Sequence, residues 1–218
     1  MQRILVASSK GGCGKTTLAT NVAVALARRG RRVWMIDADP QGSSAEWIQA
    51  RGATDPAIGI THSAGGGAVS TAGWSLRIPP TSEVVVVDTP AGLRPHQLSE
   101  FLRRCDTLLV PIVPSGIDTR ANSAFLAELA NAQPVRAGSL RVGLVANRVR
   151  ARTLAARALP EFTAPLPFPL VASLRDTQAY ALLCGLGKSL FDYQSEQVRN
   201  HQEDWTPLFA WLRKANRK

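Results

Sequence analysis

The most restrictive feature of the chain is the octapeptide Lys10-Gly11-Gly12-Cys13-Gly14-Lys15-Thr16-Thr17, which sits between an aliphatic run, Arg3 to Ser8, and a helical pattern, Lys15 to Arg29. Glycines at this density let successive backbone N–H groups turn inward, and the start of the following helix adds the positive end of its dipole. A strand, an anion-cradling loop and a helix in that order open an α/β nucleotide-binding domain. In such a loop Lys15 would reach the β- and γ-phosphates of a nucleotide, and the Thr16 hydroxyl would ligate Mg²⁺. The usual spacing, G-x-x-x-x-G-K-[ST], fails at its first position, where the chain has Ser9. The residue after Ser9 is a second lysine, Lys10, which the minimal cradle does not need.

The rest of the chain continues the alternation of strand, turn and helix, the pattern of an α/β fold: a mostly parallel sheet flanked by helices on both faces. In the first helix Leu18, Val22, Ala25 and Leu26 share one face, Arg28 and Arg29 suit the negative end, and Gly30 stops it. Val33 to Asp37 reads as a second buried strand, followed by a turn and a helix around Ser44 to Ala50. Residues 52–82 carry Gly65-Gly66-Gly67 and Pro79-Pro80 and show little periodicity. They read as irregular surface with one short strand near Ile58 to Thr61. Glu83 to Asp88, Thr107 to Val113 and Leu140 to Asn147 are further buried strands, with a helix marked by Ala121, Phe125 and Leu129 before the last. Two more helices are expected over 174–184 and 196–215. No internal repeat or linker divides the 218 residues, so a single domain is expected over 1–218.

No run of about 18 apolar residues is present, which excludes a membrane-spanning helix. The first residues lack a signal-peptide pattern, so a cytoplasmic protein is expected. Cys13, Cys105 and Cys184 are widely spaced and form no CxxC pair, which supports neither a disulfide framework nor a zinc site. The 26 Lys and Arg against 16 Asp and Glu give a net charge of +10. The excess is spread out: 13 basic against 9 acidic residues up to residue 120, and 13 against 7 after it. A solvated surface can carry such a charge, but its size favours a polyanionic partner, nucleic acid or an anionic membrane.

The string Lys10 to Thr17 resembles the deviant Walker A motif, K-G-G-x-G-K-[ST], of the ParA/MinD family of ATPases. Three further segments match that family in place and order. Ile36-Asp37-Ala38-Asp39-Pro40-Gln41-Gly42 resembles its D-x-D-P-Q-G switch region, and Val84 to Asp88 with Thr89-Pro90 resembles a Walker B segment. Asn147-Arg148, at the end of a later strand, looks like the family's adenine-recognising Asn; an Asn both donates and accepts, which would favour ATP over GTP. A plain strand-end cap is the other reading of Asn147. The likeness covers about residues 1–190 and is weakest over 52–82. It implies two subunits closing face to face on two ATP molecules, with Lys10 of each directed at the phosphates bound by the other. It further implies that Asp39 positions or deprotonates the attacking water, that Asp88 holds Mg²⁺ through a water, and that Asp37 supports the metal shell. Loss of the γ-phosphate would then relax the switch loops and part the dimer.

Within that family the D-P-Q-G segment, the short length and the charge resemble the small ParA class. Because the sequence opens on the phosphate-loop strand, no N-terminal helix-turn-helix is expected. The resemblance implies an ATP-dependent homodimer that binds double-stranded DNA without sequence preference and associates with the nucleoid. A ParB-like or adaptor protein would stimulate its hydrolysis, and its cargo would be a plasmid, a chromosomal locus or a protein assembly. The alternative is a MinD-like regulator of division-site placement, whose C-terminal amphipathic helix enters lipid. Here Trp205 to Lys218 is amphipathic, but its stripe of Trp205, Leu208, Phe209 and Leu212 fits docking on the core better. A metal-cluster carrier needs cysteines in motifs that Cys105 and Cys184 do not occupy. For DNA contact the leading candidate is Arg175, expected to open a helix at Leu174-Arg175-Asp176, with a salt bridge to Asp176 or plain solvation as alternatives. Arg148, Arg150 and Arg152 form a second basic cluster, and Arg213, Lys214, Arg217 and Lys218 a third. His62, His96 and His201 show no mutual spacing and are given no chemistry.

Overall fold

Seven short strands lie side by side, every neighbouring pair parallel, in the order β3-β2-β4-β1-β5-β6-β7. The computed structural model describes residues 1–53, 56–62, 77–114 and 116–214, the side chains of 116–122 excepted. The strands are β1 (Gln2–Val6), β2 (Val33–Asp37), β3 (Gly59–His62), β4 (Val84–Asp88), β5 (Thr107–Ile112), β6 (Arg141–Val149) and β7 (Leu170–Arg175). The helices are α1 (Lys15–Ala27), α2 (Ser43–Arg51), α3 (Pro95–Arg104), α4 (Gly116–Asn131), the single turn α5 (Gln133–Arg136), α6 (Leu154–Thr163), α7 (Ala179–Gly185), α8 (Glu196–Gln202) and α9 (Thr206–Lys214).

The period-2 geometry of the strands divides their side chains between two cores. Ile4, Val6, Met35, Val84, Val86 and Leu109 pack with α1, α2 and α9, while Leu5, Ile36, Val85, Val87, Leu108 and Val110 pack with α3, α4 and α6. Ten of the thirteen residues of α1 are buried, because this helix lies on the centre of the sheet and beneath the C-terminal elements. Parallel strands all end at one rim, and the loop after the central strand β1 opens there beside the ends of β2 and β4. Ligands of open α/β sheets bind at such a rim.

Several elements differ from the sequence expectation. The segment expected to be helical from residue 174 is strand β7, and its helix begins only at Ala179. Pro167 and Pro169 precede it, and Val171, Ala172 and Leu174 are buried where β7 pairs with β6, so sheet pairing wins over helix formation there. The expected 196–215 helix is broken into α8, a 3₁₀ turn (Glu203–Trp205) and α9. Helices α3 and α6 were not anticipated, although Pro95 at the first helical position of α3 and the Thr153 hydroxyl capping the Ala156 amide of α6 are ordinary start signals. Within 52–82 the expected short strand is the edge strand β3, while residues 63–76, with the glycine triplet, lie outside the described residues.

Candidate functional site

The loop after β1 takes its shape from Gly12 and Gly14, both with left-handed φ (73° and 92°), and Gly14 is the N-cap of α1. A Cβ on Gly14 would stand 2.2 Å from the Asn147 side-chain nitrogen, so space and backbone both demand glycine. Asn147, buried at the end of β6, donates from Nδ2 to the Cys13 carbonyl (2.8 Å) and accepts the Arg148 amide on Oδ1 (3.0 Å). Its amide group therefore clamps the loop, a longer-range version of the strand-end cap. Arg148 has a φ of 54° and borders a cavity of about 290 Å³ with Lys10, Gly11, Gly12, Cys13, Pro111 and Val113.

Lys15 is buried, and its ammonium folds back to donate to the Lys10 carbonyl (3.2 Å), which also accepts the Ser8 hydroxyl (2.9 Å). A carbonyl oxygen thus occupies the lysine where a phosphate oxygen would in a loaded loop. Lys10 itself is half-buried and lines the cavity. Cys13 is buried with its sulfur 2.9 Å from the Ser8 hydroxyl, a small packed side chain inside the loop.

Beside the loop, Asp37 and Asp88 stand in register at the ends of β2 and β4. Asp88 is buried, and its Oδ2 accepts two hydroxyls, from Thr16 and Ser44, each at 2.7 Å. Its Oδ1 has no hydrogen-bond donor among the described residues. Burial pushes the Asp88 carboxyl up to about 6, against the pull of the two hydroxyls and of Lys15 and with a push from Asp37. Asp37 is also raised by burial, although its Oδ1 accepts the Asp39 amide (3.0 Å) and its Oδ2 the Ala45 amide (2.8 Å). It therefore ties the Asp37–Gly42 loop to the first turn of α2. Asp39 is partly exposed and its Oδ1 accepts the Gln41 amide (2.9 Å), which holds the carboxylate at the rim. The His62 ring packs beneath this loop, with Nδ1 at 3.9 Å from Asp37 Oδ2. Two residues that sequence reasoning passed over, Ser44 and His62, thus sit in the site; Ser44 follows the D-P-Q-G segment by two positions, the one signal that pointed to it.

The basic candidates are scattered. Arg175 closes β7 instead of opening a helix, and its guanidinium holds Asp204 in a fork (2.7 and 2.8 Å), not Asp176. Asp176 instead accepts Arg150 at 2.7 Å, and Arg152 is exposed nearby. Arg213 and Lys214 end α9, where Arg213 lies close enough to Arg29 to help depress it, after burial. Arg217 and Lys218 lie outside the described residues. The C-terminal stripe is docked: Trp205 of the 3₁₀ turn and Leu208, Phe209 and Leu212 of α9 are buried, with Phe209 edge-on to Phe191 at 5.5 Å. No helix among the described residues is long and apolar enough to cross a membrane.

Residues 4–185 match the family model described as the CobQ/CobB/MinD/ParA nucleotide binding domain. The chain is 31% identical over 191 residues to maintenance of carboxysome distribution protein A of Halothiobacillus neapolitanus, covering 86% of each. It is 33% identical over 138 residues to the chromosome-partitioning ATPase Soj of Thermus thermophilus, covering 59% of this chain and 52% of that one. The fold matches that of apo McdA from Cyanothece with a TM-score of 0.69 over 99% of both chains at 20% identity. The chain therefore belongs to the CobQ/CobB/MinD/ParA nucleotide-binding family and is an ATPase of its ParA/MinD group.

Proposed function

We propose that this protein is a positioning ATPase of the small ParA class that cycles between an ATP-bound sandwich dimer and a monomer. The observation that carries the reading is the pairing of a two-lysine phosphate loop with the Asp88 carboxylate at the same rim. Thr16 and Asp88 suit magnesium: a hydroxyl and a buried carboxylate share one contact, and one carboxylate oxygen lacks a donor among the described residues. Bound there, the ion would neutralise charge building on the phosphates. Lys15 would exchange the Lys10 carbonyl for phosphate oxygens, the backbone amides of Gly11 to Thr16 would line the cradle, and Asp39 would orient water. Lys10, which lines the cavity, would complete the site of a second subunit. Arg148 borders the cavity where the nucleotide base would lie, and Asn147 would hold the loop there.

The ATP-bound dimer binds double-stranded DNA of any sequence and so resides on the nucleoid of the cytoplasm, and a ParB-like or adaptor partner triggers hydrolysis. A protein assembly is favoured as cargo over a plasmid or chromosomal locus. The relative named for carboxysome distribution aligns along most of its length, whereas the named partition ATPase aligns along about half of its own. A lipid-inserting C-terminal helix is disfavoured because the apolar stripe of α9 is already buried.

The test is oligomeric state by light scattering, for wild type and Asp39→Ala, each with ATP and with ADP. Wild type is expected to dimerise transiently with ATP only, and Asp39→Ala to persist as a dimer because the chemical step falls by roughly 10²–10⁴-fold. A monomeric Asp39→Ala that hydrolyses ATP at the wild-type rate would overturn the reading.

A further inference from the structure

Ser44 is the second residue of α2, its side chain is fully buried, and its hydroxyl reaches across to Asp88 Oδ2 at 2.7 Å. The same oxygen takes the Thr16 hydroxyl at 2.7 Å. The two donors belong to elements with different ties. Thr16 is on α1, fixed in the middle of the core. Ser44 belongs to the unit formed by the Asp37–Gly42 loop and the first turn of α2, which Asp37 holds together through the Asp39 and Ala45 amides. A displacement of the loop that turns the Asp37 carboxylate therefore reaches Ser44 through the Ala45 amide held on the same carboxylate.

We propose that Ser44 is a positioning residue that transmits the state of the Asp37–Gly42 loop to Asp88 and thereby sets the affinity of the magnesium site. The proposal rests on reading this rim as a magnesium–nucleotide site. When the Thr16 hydroxyl turns to a cation, Asp88 Oδ2 keeps Ser44 as its donor and the carboxylate stays oriented. When the loop shifts after loss of the γ-phosphate, that donor withdraws. A buried carboxylate oxygen left without a partner is costly, so the carboxylate reorients and its grip on the ion falls. No proton moves in this scheme; Ser44 acts only by donating a hydrogen bond to a group that supports the ion, as outer-shell residues of metal sites do.

The experiment titrates Mg²⁺ calorimetrically into full-length wild type, Ser44→Ala and Ser44→Thr, each saturated with ADP and, separately, with a non-hydrolysable ATP analogue. ADP binding in EDTA and ligand-free melting are measured in parallel. For wild type, Mg²⁺ binding is expected to be tighter with the ATP analogue than with ADP. Ser44→Ala should weaken Mg²⁺ by roughly 10–100-fold with the analogue, the usual cost of an outer-shell loss, and so collapse the difference between the two nucleotides. Ser44→Thr should recover most of both. Magnesium-free ADP affinity should stay near wild type in both variants, while ligand-free melting should fall in Ser44→Ala through the lost buried hydrogen bond. The proposal is overturned if Ser44→Ala keeps the wild-type affinity and ratio, or if Ser44→Thr fails like Ser44→Ala. A wild type whose nucleotide affinity ignores Mg²⁺ would instead refute the magnesium–nucleotide reading, and this proposal with it.

Discussion

At the scale of single residues, the site keeps one carboxylate in a state that folding alone does not favour. The Asp88 carboxyl is held at about 6, above its ordinary 3.8, chiefly by burial. Because the folded-state value is the higher one, the folded protein binds more protons between those values, and stability falls as pH rises through that window. Without magnesium or nucleotide, Asp88→Asn should therefore melt above wild type at pH 7.5, by about 3 kcal/mol at most. The gap should narrow below pH 6 and vanish near pH 4, as calorimetry over a pH series would read; a constant gap would show that the ionised form is not the source. Lys10 belongs to the opposite category, since it lines the cavity but precedes the glycines of the minimal cradle. Lys10→Ala should retain most ATP affinity by equilibrium titration yet lose hydrolysis, and wild-type turnover in that variant would exclude a shared site. The sequence displayed Lys15, Thr16, Asp37 and Asp88 because phosphate chemistry fixes residue type at fixed spacing. The Ser44–Asp88 and Asn147–Cys13 contacts were hidden because they join positions 44 and 134 residues apart, and only the closed fold brings those together.

At the scale of elements, α2 has one fixed end. Its far end carries Arg51, buried, which grips Asp192 with two nitrogens (2.7 and 2.9 Å) and donates to the Gly187 carbonyl. Gly187 has a φ of 64°, and a Cβ there would lie 2.1 Å from the Arg51 amide nitrogen, so only glycine lets the two segments meet. Removing one partner of such a buried pair strands the other, and Arg51→Ala should lower unfolding free energy by about 3–5 kcal/mol in urea melts. A loss under 1 kcal/mol would mean that the Arg28 contact to Asp192 suffices. The same elements show where pattern reading fails. The four valines of β4 announce a buried strand without help, but β7 buries only three positions behind two prolines and depends on β6 for its existence. The partner of its last residue, Arg175, depends on that pairing, because a strand end directs the side chain to Asp204 where a helix start would place it beside Asp176.

At the scale of the whole molecule, the net charge of +10 is not deployed evenly. Arg150 and Arg175 are spoken for by Asp176 and Asp204, whereas Arg213 stands near another cation, Arg29. Binding to a random duplex should appear with ATP and not with ADP, and should weaken with salt along a logarithmic slope set by the phosphates neutralised. Charge reversal at Arg213 and Lys214 should weaken it more than reversal at Arg175, equally for unrelated sequences. Filter binding at several salt concentrations would decide. Binding to anionic vesicles in place of DNA, and only with ATP, would move the protein to the membrane-associated branch of its family.

The burial of α1 on nearly every side divides the molecule into a fixed part and a part that can respond. Lys15 and Thr16 ride on the fixed part, so on the function proposed above any adjustment to a departing phosphate falls to the α2 side. Backbone amides should record this. Deuterium should enter α1 only when the entire chain opens, whatever nucleotide is bound, while the first turn of α2 should exchange at a pace that changes with the nucleotide.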